Sequence, residues 1–268
     1  MINNAVNGVI KIDGTDMDYI SFGKGKEYLI IIPGLGDGLK TVKGLALPFS
    51  VMYKCFTEKY TVFSFSRKSK LAAEYSTREM AADIAKAMEL LDIPKADIVG
   101  VSQGGMISQF LAIDFPEKVN KLVLTVTCSK PNDAIIGTVG SWIKMAEAGD
   151  CKSIYSDMIE KIYSEKYQKR NRLFLPFMNM FGKPKDISRF IAMAKACITH
   201  NSYDELDKIK CSTLIIGGKC DIVVTGKASE EISERISGSE IFMYDGLGHS
   251  AYEEASDFNS RVLDFLNK

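Results

Sequence analysis

A serine between two glycines, Gly100-Val101-Ser102-Gln103-Gly104, is the segment of this chain best suited to chemistry. Apolar Ile98 and Val99 lead into it, and a helical pattern of Met106, Ile107, Phe110 and Leu111 leads out. Gly-x-Ser-x-Gly between a strand and a helix is a nucleophile elbow, a sharp turn that lifts the serine hydroxyl clear of the strand's carboxyl end. The glycines answer a steric need, because so tight a turn leaves no room for a Cβ. Serine alone is a poor nucleophile: it needs a base to take its proton and an acid to orient that base. The chain holds only 2 histidines. His249 lies in a glycine-bracketed loop, Gly246 to Ser250, just after the last predicted strand. Asp221 follows Gly217 and Gly218 after the preceding strand. Ser102, Asp221 and His249 therefore read as nucleophile, acid and base of an acyl transfer. Asp245 and Asp133 are the rival acids. His200 reads as a capping or surface residue, Cys220 as a small buried side chain, and Asp37, Arg67 and Lys68 as solvated loop charges near the pocket rim.

Elements of a definite kind must hold these residues. Residues 6–22 alternate around Gly14 and predict a hairpin. Short apolar runs at 28–33, 60–65, 119–126, 211–217 and 240–244, together with the elbow strand, predict strands buried on both faces. Between them fall helical stripes, such as Met80, Ile84, Met88 and Leu91 behind a capping box of Ser76 and Glu79. A helix is also expected over 228–236, and another over 257–267. Strands alternating with helices predict an α/β fold, a mostly parallel sheet with helices on both faces. Residues 130–206 break the rhythm with helical periodicity, no clear strand, and many methionines and aromatics. Among these are Trp142, Met145, Tyr155, Met158, Phe174, Phe177, Met178, Met180 and Phe181, interrupted at Gly182 to Pro184. This stretch reads as a helical insertion, some of whose residues must face a substrate.

The order Ser102, Asp221, His249, with each residue just past a strand end, resembles the α/β-hydrolase fold with a helical cap. The resemblance covers nearly the whole chain. It implies a core of residues 1–129 and 207–268 and a cap of 130–206. It also implies an oxyanion hole built from the backbone amides of Leu35 and Gln103. The family's usual His-Gly-x loop reads Pro33-Gly34-Leu35 here, so a common support for that loop is missing. The turn after the fourth strand departs too: Ser66-Arg67-Lys68-Ser69 stands where the family often has Asp-x-Arg-Gly. The implied activity is that of a serine hydrolase, an esterase first. Thioesterase, C–C bond hydrolase and aminopeptidase remain alternatives on the same triad. A ligand-binding member with no turnover is the alternative from another class. A serine at the elbow excludes the relatives that use an aspartate there. With neutral imidazole as base, activity is expected to rise between roughly pH 6 and 8.

Composition narrows the partners. Lys+Arg and Asp+Glu both number 34, and no basic run occurs, so neither nucleic acid nor an anionic membrane is expected. No signal peptide and no membrane-length apolar run is visible. The 6 cysteines lack C-x-x-C pairing and read as free thiols of a cytoplasmic protein, with no metal and no cofactor implied. The partner is then a small-molecule substrate, and oligomeric state is left open.

Overall fold

The computed structural model describes residues 4–171 and 186–268. Eight strands form one sheet: β1 (Val6–Ile12), β2 (Thr15–Gly23), β3 (Glu27–Ile32), β4 (Tyr60–Phe65), β5 (Ala96–Val101), β6 (Val119–Thr125), β7 (Ser212–Gly218) and β8 (Glu240–Tyr244). Their spatial order is β1-β2-β4-β3-β5-β6-β7-β8. β2 runs antiparallel to both neighbours, and all other pairs are parallel. Among the described residues the helices are α1 (Ala46–Met52), α2 (Thr77–Leu90), α3 (Gln103–Asp114), α4 (Asp133–Glu147), α5 (Cys151–Ile162), α6 (Glu165–Asn171), α7 (Ile187–Thr199), α8 (Gly226–Arg235), α9 (Ala251–Glu254) and α10 (Phe258–Leu266).

Local chemistry accounts for the element ends. The β1–β2 hairpin closes on Asp13-Gly14, both at positive φ (51° and 75°), the pair a two-residue turn between right-twisted strands favours. Helix α2 starts at a capping box: Ser76 accepts from the Glu79 amide, and the Glu79 carboxylate accepts from the Ser76 amide. Strand alternation divides the core. Ile30, Ile32, Ile98, Leu122 and Leu124 face α2, α3 and the helices inserted after β6. Leu29, Ile31, Val99, Val123 and Leu214 face the opposite side, where Phe258, Val262 and Phe265 of α10 close the second core. Helix α3 is buried from Gln103 through Ala112, which is why its sequence is apolar nearly all round.

The chain passes from β3 outward to β4, then crosses back to lay β5 on the other side of β3. The carboxyl ends of β3 and β5 thus flank a topological switch point, where an open parallel sheet leaves a crevice. Helices α4 to α7 interrupt the α/β alternation between β6 and β7. Phe174, Phe177, Met178, Met180, Phe181 and the Gly182–Pro184 break lie outside the described residues. Among the described residues, no helix is long and apolar enough to cross a membrane.

His200, expected to cap a helix or face solvent, does end α7, but it is 2 % exposed. Its Nδ1 meets the Thr77 hydroxyl at 2.8 Å, and its ring stands edge-on to Phe110. Burial lowers its pKa to about 3. The unfolded chain, with an ordinary histidine near pH 6.5, takes up the proton first, so His200 opposes folding increasingly as pH falls below about 6.5. His200→Gln is expected to lose less stability than the parent between about pH 6.5 and 5, by up to about 1.4 kcal/mol per pH unit. Urea denaturation at the two pH values measures this; equal losses in both proteins would contradict it.

Candidate active site

The elbow is built by close backbone approach. Ser102 takes φ 53° and ψ −118°, a conformation L-residues rarely hold, so the surrounding contacts must impose it. A Cβ on Gly104 would lie 1.9 Å from the Ile32 carbonyl oxygen, and one on Gly100 would lie 2.6 Å from the Gly104 carbonyl. Gly104 thus lets the turn pack against the end of β3, and Gly100 lets the start of α3 fold back onto β5. The Ser102 amide donates to Thr125 of β6 at 2.9 Å, and the Thr127 hydroxyl donates to the Ser102 carbonyl at 2.8 Å. The nucleophile candidate is thereby pinned from both sides.

Asp221 and His249 reach it from neighbouring loops. A Cβ on Gly218 would lie 2.4 Å from the carbonyl oxygens of both Leu247 and Gly248, so only glycine lets the two loops touch. His249 Nε2 lies 3.0 Å from Ser102 Oγ, and His249 Nδ1 lies 2.8 Å from Asp221 Oδ2. The other Asp221 oxygen accepts from the amides of Val223 at 2.8 Å and Val224 at 3.0 Å. Burial by itself would raise the Asp221 pKa, but the His249 ring and these amides outweigh it and hold the carboxyl below its usual range. Asp221 is therefore an anion held against the imidazole, able to orient the ring and stabilise its protonated form. The rivals stand elsewhere. Asp133 is exposed at the start of α4, and Asp245 is exposed and paired with Lys219. Cys220, expected buried, is exposed, and its thiol rests on the Asp245 carbonyl at 3.4 Å.

The amides of Leu35 and Gln103 have a common structural origin. Leu35 is the first residue of a 3-10 turn, Leu35–Gly38, and Gln103 the first of α3. The first amides of a helix have no carbonyl of their own helix to bond, so both positions offer a donor to an anion. A Cβ on Gly34 would sit 3.2 Å from Ser102 Cβ and 3.7 Å from its Oγ, so the loop leading into Leu35 runs directly beside the serine.

Support for this loop comes from residues expected to be solvated. Asp37, Arg67 and Lys68 are all buried (4 %, 2 % and 6 % exposed). The Arg67 guanidinium donates to the Pro33 carbonyl at 2.5 Å and to Gln103 Oε1 at 3.2 Å, so one cation braces both amide-bearing segments. Asp37 accepts the Arg67 amide at 2.9 Å and is paired at 2.5 Å with Arg189 of α7, which also donates to the Asp37, Arg67 and Lys68 carbonyls. Gln103 Nε2 donates to the Met193 carbonyl of α7 at 2.6 Å. Burial pushes the Arg67 pKa down to about 10, which leaves it charged at neutral pH. Lys68 turns away to Asp83 at 2.9 Å. Nothing in the local sequence marks Arg189, because an arginine on an amphipathic helix ordinarily faces water.

Ser102 and His249 open onto a cavity of about 470 Å³. Its lining is largely apolar, with Ile135, Val139 and Trp142 of α4, Tyr155, Met158 and Ile159 of α5, and Leu45, Phe49, Met52 and Tyr53 around α1. Trp142, Tyr155 and Met158 are therefore the described members of the methionine and aromatic set that face the cavity, whereas Met145 packs against the core. The chain enters the wall again at Tyr252 and Glu253 of α9. The inserted helices are stitched to the His249 loop: the Ser250 amide donates to Ile162, and Ser164 donates to Glu254 through its amide and hydroxyl.

A family model for the alpha/beta hydrolase fold matches residues 28–256. The chain belongs to that family. A 2-hydroxy-6-oxononadienedioate/2-hydroxy-6-oxononatrienedioate hydrolase of Pseudomonas putida is 24% identical to this alpha/beta hydrolase, over 96% of the chain and 95% of the relative. The 3-oxoadipate enol-lactonase 2 of Acinetobacter baylyi is 21% identical, over 92% and 91%. Among solved structures, an enol-lactonase from Burkholderia xenovorans superposes with a TM-score of 0.85 at 18% identity, over 97% of this chain and all of that one. At these identities the alpha/beta hydrolase fold is shared.

Proposed function

We propose that this alpha/beta hydrolase is a serine hydrolase that cleaves carboxylic esters of small or medium apolar acyl groups through an acyl-enzyme. The observation carrying this reading is the unbroken chain of contacts from Ser102 through His249 to Asp221, opening on an apolar cavity. In our reading residues 130–206 act as a cap over a core of 1–129 and 207–268. His249 takes the Ser102 proton as the hydroxyl oxygen attacks the ester carbonyl carbon. The amides of Leu35 and Gln103 receive the oxyanion of the tetrahedral intermediate. The imidazolium, held by Asp221, gives its proton to the departing alcohol, and the acyl-enzyme forms. Water, deprotonated by His249, then releases the acid and restores Ser102. A lactone is a cyclic ester, so the names of the two enol-lactonases are consistent with ester chemistry here.

A graded series of p-nitrophenyl esters, from acetate to dodecanoate, tests the reading. Turnover should rise with chain length while the acyl group fits a cavity of about 470 Å³, then fall once the chain outgrows it. No multiple turnover on any ester, alongside cleavage of a thioester, amide or C–C substrate, would move the proposal to that bond. No turnover on any of them would favour a ligand-binding member of the fold.

A further inference from the structure

One wall of the cavity departs from the apolar rule. Tyr53 at the end of α1, Tyr163 after α5, and Tyr252 and Glu253 of α9 meet there. The Tyr163 hydroxyl donates to Glu253 Oε2 at 2.6 Å. Glu253 is exposed on this wall of the cavity. Its charge in turn contributes to raising all three tyrosine pKa values, so it lies within electrostatic reach of each ring.

Anchoring alone does not call for a carboxylate at this position. Holding the Tyr163 hydroxyl requires an acceptor, not a charge. The insertion is already tied down next door by Glu254, which accepts from Ser164 at 2.8 and 2.5 Å and from Ser250 at 2.5 Å. Of the other charges on the cavity wall, Asp37 is neutralised by Arg189, and Lys40 is exposed after the 3-10 turn. Tyrosine rings around a carboxylate suit an organic cation: the carboxylate supplies the counter-charge and the ring faces add cation–π attraction. Glu253 lies four positions beyond His249, so the chain holds their Cα atoms within about 14 Å of each other.

We propose that Glu253, Tyr53, Tyr163 and Tyr252 form a subsite for an ammonium group, so that the preferred esters carry a cation at one end of an apolar body. The inference rests on the ester-hydrolase reading for the word ester, but not for the binding. Titration calorimetry with hexyltrimethylammonium and with hexanoate separates the two. The parent protein is expected to bind the cation about tenfold or more tightly than the anion, weakening with salt. Glu253→Gln, which keeps an acceptor for Tyr163, is expected to bring the two within about twofold. Equal binding of cation and anion by the parent would overturn the subsite whether or not the variant folds. An unchanged ratio in folded Glu253→Gln would overturn it as well. Matched p-nitrophenyl esters of hexanoate, 6-aminohexanoate and adipate then carry the preference into kcat/KM. Loss of ester turnover with the binding preference intact would count against the hydrolase reading alone.

Discussion

Replacing Ser102 with alanine is expected to lower kcat on a p-nitrophenyl ester by about 10⁴ to 10⁶, with the thermal midpoint nearly unchanged. The size follows from the division of labour. Without the hydroxyl there is no acyl-enzyme, and the amides of Leu35 and Gln103 can only polarise a carbonyl for attack by water. The fold should tolerate the change, because the side chain is half-buried and the strained backbone at φ 53° is imposed by Gly100, Gly104 and Thr125 rather than by the hydroxyl. His249→Ala should cost a similar factor, and the double variant should be no worse than either single one, since residues that act as one unit do not add. Steady-state kinetics of the three variants checks this. A double variant slower than both singles by the product of their losses would mean that the two residues act separately.

Arg189→Met is expected to destabilise the protein by about 3–5 kcal/mol and to lower kcat by about 10², with KM little changed. The stability loss arises at Asp37, whose carboxylate would remain almost fully buried with only the Arg67 amide to satisfy it. The rate loss arises at the loop carrying Leu35. Arg189 binds the Asp37 carbonyl and carboxylate two residues beyond Leu35, and it fixes the Arg67 carbonyl while the Arg67 guanidinium grips Pro33. Slack in this clamp moves one oxyanion donor and leaves the apolar cavity wall alone, so kcat should fall in preference to affinity. Adding Asp37→Asn to Arg189→Met removes the unpaired buried charge and should recover part of the stability. Urea melts and kinetics on the same samples separate the two effects. Full activity in folded Arg189→Met would show that α7 does not position the loop.

The sequence made the candidate site residues visible more readily than their surroundings. Ser102, Asp221 and His249 stand out because each comes shortly after an apolar run with glycines close before it, and local pattern alone carries that information. The strands were legible for the same reason: β5 is buried throughout and nearly continuously apolar. What escaped depends on long-range partners. Whether Asp37, Arg67 and Lys68 are solvated is decided by Arg189 and Asp83, which lie far along the chain and meet them only once α7 and α2 have packed. His200 is buried for a similar reason, against Thr77 and Gln109. Helices α1 and α9 supply much of the cavity wall, but runs of 7 and 4 residues are too short to show helical periodicity.

The account stands or falls on an activated Ser102. Intact-mass analysis of the protein and its Ser102→Ala variant after treatment with a fluorophosphonate measures this directly, because the reagent bonds to a serine oxygen only where a base takes its proton and donors hold the phosphoryl oxygen. The account predicts one adduct on the parent and none on the variant. A folded parent that gains no mass, or an adduct that survives Ser102→Ala, would contradict it.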